Sequence, residues 1–303
     1  MIKNLISLDE ISAYQFSEML DLTLEIKKKP RLFKNSLSGF IIAGAFQNPY
    51  FHPNVSFQVA VSSLKGEAVL FNYSDLQARN KRLSQVSCRC LERWADGVVI
   101  ETKNHEHIAE LEKTVRIPII NAGSEKFSPC QALADFFTIK EHCRDLTNIK
   151  LAFIGNQKNI CHSLLLAAAT AGTHIHIAVP RKNKLGQDVI DAAEVKGKHT
   201  QFNYRITENP QEAALNADIV YYSYIPSSSS PRIEKDFLFK DSLFSSSKKD
   251  ALFMFSIPSP EPEEDLFKKI QSGKSLIFSQ ADNRLHITKA IMVSLIRNKE
   301  REI

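Results

Sequence analysis

The side chains with the most chemical scope lie between positions 127 and 139, in the run Phe-Ser-Pro-Cys-Gln-Ala-Leu-Ala-Asp-Phe-Phe-Thr-Ile. Ser128 is a good N-cap and Pro129 suits the first helical position. Leu133, Phe136, Phe137 and Ile139 form a buried stripe behind Gln131 and Asp135, so a helix here can join two domains and present polar side chains to a cleft. Cys130 falls at the helix N-terminus, where a thiolate is favoured, although its setting within the run reads as structural. His52 has two readings, a general base or a solvated loop histidine. Glu101 ends an apolar strand and could pair with a cationic group or simply fill a relaxed position. Arg284 lies before the last helix, and His162 reads as a hydrogen-bonding core residue.

The elements that must position these groups alternate in type. Residues 7–29 read as one amphipathic helix, with Ser7 and Glu10 at capping-box spacing. The runs 39–46, 68–71, 97–100 and 117–121 read as strands, separated by helices over 55–64, 83–94 and 105–113. Beyond the central helix the pattern repeats. Strands are expected at 150–155, 174–179, 201–206, 218–222, 251–255 and 275–278, with helices at 163–171, 189–196 and 210–216 and a closing helix from 286. Continuous apolar strands alternating with helices predict an α/β chain of two doubly wound parallel-sheet domains joined by a central helix. Ligands in such sheets bind outside the carboxyl ends of the strands, here the loops beginning at Gln47, Glu101, Gly155, Ser223 and Ser256.

Composition narrows the classes. A chain of 303 residues that is 43% hydrophobic and 24% charged suits a soluble two-domain protein. The net charge of +5 is dispersed, with no basic patch interleaved with aromatics, so no nucleic-acid partner is expected. Five cysteines without paired spacing predict free thiols, no metal site and a cytoplasmic location; no run is long enough for a membrane span. Gly155-Asn-Gln-Lys-Asn lacks the glycine spacing of a dinucleotide fingerprint, and no cofactor is expected.

Three segments occur in a characteristic order: Val55-Ser-Phe-Gln-Val-Ala60 after the first strand, the Pro129–Asp135 run, and Asn283-Arg-Leu-His286 before the last helix. With His162-Ser-Leu-Leu165, this combination resembles the aspartate/ornithine carbamoyltransferase family, closest to the ornithine enzymes, from about residue 5 to 296. The resemblance implies a carbamoyl-phosphate-type domain over 1–135, onto which a C-terminal helix at 286–300 packs back. It implies an amino-acid-binding-type domain over 150–285, and a homotrimer with active sites at subunit interfaces.

The same resemblance draws attention to departures. Where the family reads Ser-Thr-Arg-Thr-Arg to hold the phosphate, this chain has Tyr50, Phe51, His52, Pro53 and Asn54. Glu101 stands where a further arginine contacts that ligand, and Ser128 stands where a histidine contacts the carbamoyl oxygen. On the amino-acid side Ser223 and Ser227-Ser-Ser229 replace an aspartate and Ser-Met-Gly, while Phe255-Ser256-Ile-Pro258 replaces His-Cys-Leu-Pro. Gln131, Asn159, His162 and Arg284 match the family pattern, Gln131 and Arg284 being the best candidates for remaining ligand contact. The expected function is therefore a degenerate homologue that binds a ligand or a protein partner, possible ligands being an amino acid or amine and a possible partner an active paralogue. The alternatives are a repurposed transferase with a different donor or acceptor, or an active ornithine carbamoyltransferase.

Overall fold

The computed structural model describes residues 2–47, 51–76, 81–223, 235–256 and 264–296. It divides into two compact units, Met1–Phe137 with Asn283–Ile303, and Thr138–Asp282.

The first unit begins with helices α1 (Ala13–Lys28) and α2 (Pro30–Phe33). Strand β1 (Ile41–Phe46) follows, then α3 (Phe51–Ser63), β2 (Glu67–Asn72) and α4 (Lys81–Trp94). Next come β3 (Gly97–Glu101), α5 (His105–Thr114), β4 (Ile119–Gly123) and α6 (Pro129–Cys143). The strands pair in parallel in the order β2-β1-β3-β4. Their sequences show why. Central β1 and β3 are nearly continuous apolar runs, buried along most of their length because helices cover both faces. Edge strand β2 is mostly exposed.

The second unit holds β5 (Lys150–Gly155), α7 (Lys158–Ala171), β6 (His174–Ala178), α8 (Gln187–Gly197) and β7 (Asn203–Thr207). It continues with α9 (Pro210–Ala214), β8 (Ile219–Ser223), β9 (Leu252–Phe255) and α10 (Glu264–Ile270). The last helix, α11 (Ile277–Ile296), begins in this unit, and its residues from Asn283 onward belong to the first. All five strands are parallel, in the order β7-β6-β5-β8-β9. This is the expected pair of doubly wound α/β sheets.

Two local expectations fail for identifiable reasons. The first helix does not start at Ser7. Leu5, Leu8 and Ile11 are buried, and Leu5 hydrogen-bonds along β4, from its N to Ile119 O at 2.8 Å and from Asn121 N to its own O at 2.8 Å. Their apolar spacing reflects packing on a sheet edge. Ser12 is the true cap, its hydroxyl accepting from Gln15 N while Gln15 Oε1 accepts from Ser12 N. At the other end, the expected strand at 275–278 reduces to one bridge between Phe253 and Ser275. The helix takes over at Ile277 because Gln280 is needed in its first turn, where Oε1 accepts from Phe255 N at 3.0 Å.

Candidate functional site

In the first unit the carboxyl ends of β1, β3 and β4 lie side by side, with Phe46 opposite Glu101 and Glu101 opposite Gly123. Glu101 is buried there at 7% exposure. Gln47 follows β1 and braces the next turn, its Oε1 accepting from Thr102 Oγ1 at 2.9 Å and from Lys103 N at 2.6 Å. His105 opens α5 with Nδ1 3.0 Å from Ser124 Oγ and its ring edge-on to Phe127. Burial, then the nearby Lys126 charge, lower its pKa and favour the neutral imidazole.

Helix α6 brings its polar residues against α11. Arg284 Nη1 donates to Gln131 Oε1, and Gln131 Nε2 donates to Asp135 Oδ1 at 2.8 Å. Arg284 Nη2 lies 3.5 Å from Ala122 O, and its buried Nε has no hydrogen-bond partner among the described residues. Thr288 Oγ1 donates to Arg284 O one turn on, at 2.7 Å. Sequence reasoning named Gln131 and Arg284 separately as ligand candidates; the structure joins them to each other. It did not name Thr288, whose i+4 spacing from Arg284 was the available signal. Ser128 is buried before α6 and its carbonyl accepts from Ala132 N at 3.1 Å, as a capping residue's should.

Cys130 is also buried, its Sγ donating to Asn121 O at 3.3 Å. Burial pushes its thiol up to about 11, against the opposing pull of the Arg284 charge. The thiol form wins, and the structural reading of Cys130 holds. Beside it a void of only about 10 Å³ is lined by Pro53, Phe57, Val99, Ala122, Cys130 and Arg284, among others. That is room for about one water. His52 lies in the first turn of α3, its side chain outside the described residues, and Tyr50 lies outside them altogether.

The second unit gathers a different set at the ends of β5, β8 and β9. Ser223 Oγ donates to Ser256 Oγ at 2.7 Å, and Gln157 Nε2 donates to the same oxygen at 3.1 Å. Both serines are buried. Gly155 lets the strands approach this closely, because a Cβ there would sit 2.0 Å from the Ser223 carbonyl oxygen. Gln157 escaped sequence reasoning, which chose Asn159 in the stretch after Gly155. Asn159 is half-buried in the first turn of α7, its Oδ1 2.9 Å from Ile160 N. Buried His162 accepts from Gly186 N through Nε2 at 3.1 Å, which fixes the tautomer with hydrogen on Nδ1 whenever the ring is neutral.

Among the described residues no cluster of three or more His, Cys, Asp or Glu could hold a metal, and no helix is long and apolar enough to cross a membrane. Chemically, the first unit offers an arginine–amide–carboxylate chain and the second a hydroxyl–amide chain. Both suit positioning of a polar ligand by hydrogen bonds.

Known proteins share this architecture along its whole length. Residues 3–141 match the model of the aspartate/ornithine carbamoyltransferase carbamoyl-P binding domain, and residues 147–295 that of the Asp/Orn binding domain. An ornithine carbamoyltransferase of Halalkalibacterium halodurans is 32% identical over 97% of this chain and 95% of its own length. One from Listeria innocua is 31% identical over 98% and 96%. Among solved structures, ornithine carbamoyltransferase from Pyrococcus furiosus superposes with a TM-score of 0.91 at 28% identity, covering 97% of each chain. That from Gloeobacter violaceus gives 0.88 at 28% identity, covering 98% of this chain and 99% of its own. On this combination of sheets, strand-end residues and end-to-end similarity, the chain belongs to the aspartate/ornithine carbamoyltransferase family.

Proposed function

We propose that this family member holds a small polar ligand at the carboxyl ends of its strands without performing ordinary carbamoyl transfer from carbamoyl phosphate to ornithine. The observation that carries this reading is Glu101, a carboxylate buried at the end of β3 where the family places an arginine on the phosphate. A dianion brought there meets a like charge instead of a partner. The first turn of α3 supplies no arginine either, since positions 51–54 read Phe-His-Pro-Asn. Removal of one preorganised donor costs about 10²–10³ in rate, and several are substituted here together. The 10 Å³ void beside Arg284 and the neutral Ser223–Ser256 pair support the same reading. A cationic group, such as an amine of an amino acid, fits Glu101 better than phosphate does. In this reading residues 1–135 with 286–300 descend from the carbamoyl-phosphate domain and 150–285 from the amino-acid domain. The assembly is a homotrimer or a mixed trimer with a paralogue, in a reducing cytoplasm where its free thiols are stable.

A second reading, an active ornithine carbamoyltransferase, is favoured by relatives of that name at 31–32% identity over nearly the whole chain and by the retained Gln131, Asn159, His162 and Arg284. One experiment separates them: purified protein is titrated calorimetrically with carbamoyl phosphate, then assayed for citrulline with ornithine present. No heat and no citrulline is the outcome expected for the first reading. Saturable binding with steady citrulline formation establishes the second and removes the first.

A further inference from the structure

The amino ends of β5, β6 and β7 carry an unusual set of side chains on one face, away from the strand ends considered above. The parallel register places Asn203, His174 and Lys150 in one row, and Arg205, His176 and Ala152 in the next. Ala152 packs in a buried cluster with Ala213 and Ala214 of α9, so both rows lie on the face that α9 covers. A doubly wound sheet normally has both faces covered. Here α9 is only five residues long, and its cluster takes in Ile154 and Ala178 from the carboxyl halves of β5 and β6. The amino halves are left as an open depression of about 270 Å³ lined by Lys150, His174, His176 and Asn203.

The charges facing this depression do not balance. Lys150 Nζ donates to Leu215 O, its backbone N to Asp218 Oδ2 at 2.9 Å, and Asp218 Oδ1 is held by Lys248 at 2.5 Å. Arg205 pairs with Glu212 of α9. Three cations thus meet two carboxylates before either imidazole is counted. The Nδ1 atoms of His174 and His176 are both buried and have no hydrogen-bond partner among the described residues. Burial, with Lys150, Arg205 and His174, holds the His176 imidazole down at about 4, and burial with Arg205 lowers Lys150. In both groups burial is the larger cause and the neighbouring cations add to it.

We propose that this depression binds a small oxyanion, either a free inorganic ion or the terminal phosphoryl group of a small metabolite, with Lys150, His174 and His176 as its donors. Such an anion compensates the positive field. Binding therefore favours the imidazolium and takes up protons. Two histidines two residues apart on one strand also suit a divalent metal, but the Lys150 ammonium in the row of His174 opposes a second cation there.

The test uses sulfate, whose charge is constant between about pH 6 and about pH 8, so any pH dependence belongs to the protein. Calorimetric titration of the full chain is expected to give at least about fivefold tighter binding at the lower pH. His174→Gln with His176→Gln is expected to remove that dependence and weaken sulfate about tenfold or more, and Lys150→Gln to weaken it at both pH values. Arg284→Gln, in the other unit, leaves it unchanged, which separates this site from any anion binding at the family site. Inorganic phosphate and glycerol phosphate in parallel show whether a free ion or a phosphoryl group is preferred. Sulfate affinity that ignores His174→Gln/His176→Gln in a normally folded variant, or zinc binding there without sulfate binding, overturns the proposal.

Discussion

Arg284 and Gln131, 153 positions apart in sequence, are joined by a hydrogen bond from guanidinium to amide oxygen, and the amide passes its own donor on to Asp135. Gln131 is thus a neutral spacer between a cation and a carboxylate that is fully buried. Replacing it by leucine takes one hydrogen bond from each, and a buried polar group that loses a partner costs about 1–3 kcal/mol. Gln131→Leu should lower the unfolding free energy by that amount, seen as a lower urea midpoint at an unchanged m-value; a variant as stable as the parent would show that the chain of bonds carries no structural weight.

Cys130 should behave as an inert thiol. Its folded pKa is raised to about 11 by burial, above the ordinary 9.0, so the neutral form is the one the fold favours. The linked stability is complete below about pH 9 and is lost as pH rises from there toward 11, where only the unfolded chain readily gives up the proton. The magnitude is about 2–3 kcal/mol. Equilibrium unfolding of the parent and Cys130→Ala across that range checks the sign, since the fall attributable to Cys130 must vanish in the variant. Thiol labelling of the native chain should reach half-buried Cys90 and Cys143 before buried Cys130 and Cys161.

Much of the architecture was legible because burial dictates composition. Strands covered on both faces must be apolar throughout, and β1, β3 and β5 could be read directly from that pattern. The start of α1 could not, because Leu8 and Ile11 have helical spacing yet owe their burial to long-range packing. Ser275 and Leu276 look like the start of a strand for the same reason, being held at β9 before α11 begins. Gln131 and Arg284 each stood out by family pattern, although their bond to one another did not. The Ser223–Ser256–Gln157 chain was not legible, because bonds between residues 33 and 99 positions apart leave no local mark.

Gly155 should tolerate no side chain. A Cβ there falls 2.0 Å from the Ser223 carbonyl oxygen, and both partners are backbone, so β5 and β8 would have to separate. Gly155→Ala is expected to cost at least about 3 kcal/mol or to abolish soluble expression. Gly273, whose Cβ would meet nothing within 4 Å, is the matched control, and Gly273→Ala should express and unfold like the parent. Thermal unfolding of the two variants side by side decides the matter.

If the anion anchors are what this chain lacks, restoring them should restore binding. The combined variant His52→Arg, Pro53→Thr, Asn54→Arg, Glu101→Arg and Ser128→His returns the family's charged groups to the ends of β1 and β3 and the start of α6. Carbamoyl phosphate affinity should rise at least about a hundredfold over the parent, since each charged contact is worth about 1.5–3 kcal/mol and burying a guanidinium at the end of β3 offsets some of the gain. A parent that already binds as tightly as the variant would show that these positions do not set affinity.

Among the described residues, the four-stranded sheet is blocked at one end only. Main-chain bonds from Leu5 occupy the outer side of β4, and Asn121 Nδ2 adds a side-chain bond to Ile6 O at 2.8 Å. At the opposite end β2 pairs with β1 alone among the described strands and leaves Val69 and Leu70 about half exposed. Strand addition, whether in assembly or in aggregation, is thereby given a direction: it can extend the sheet past β2, while past β4 it must first strip away a segment whose own leucine is completely buried.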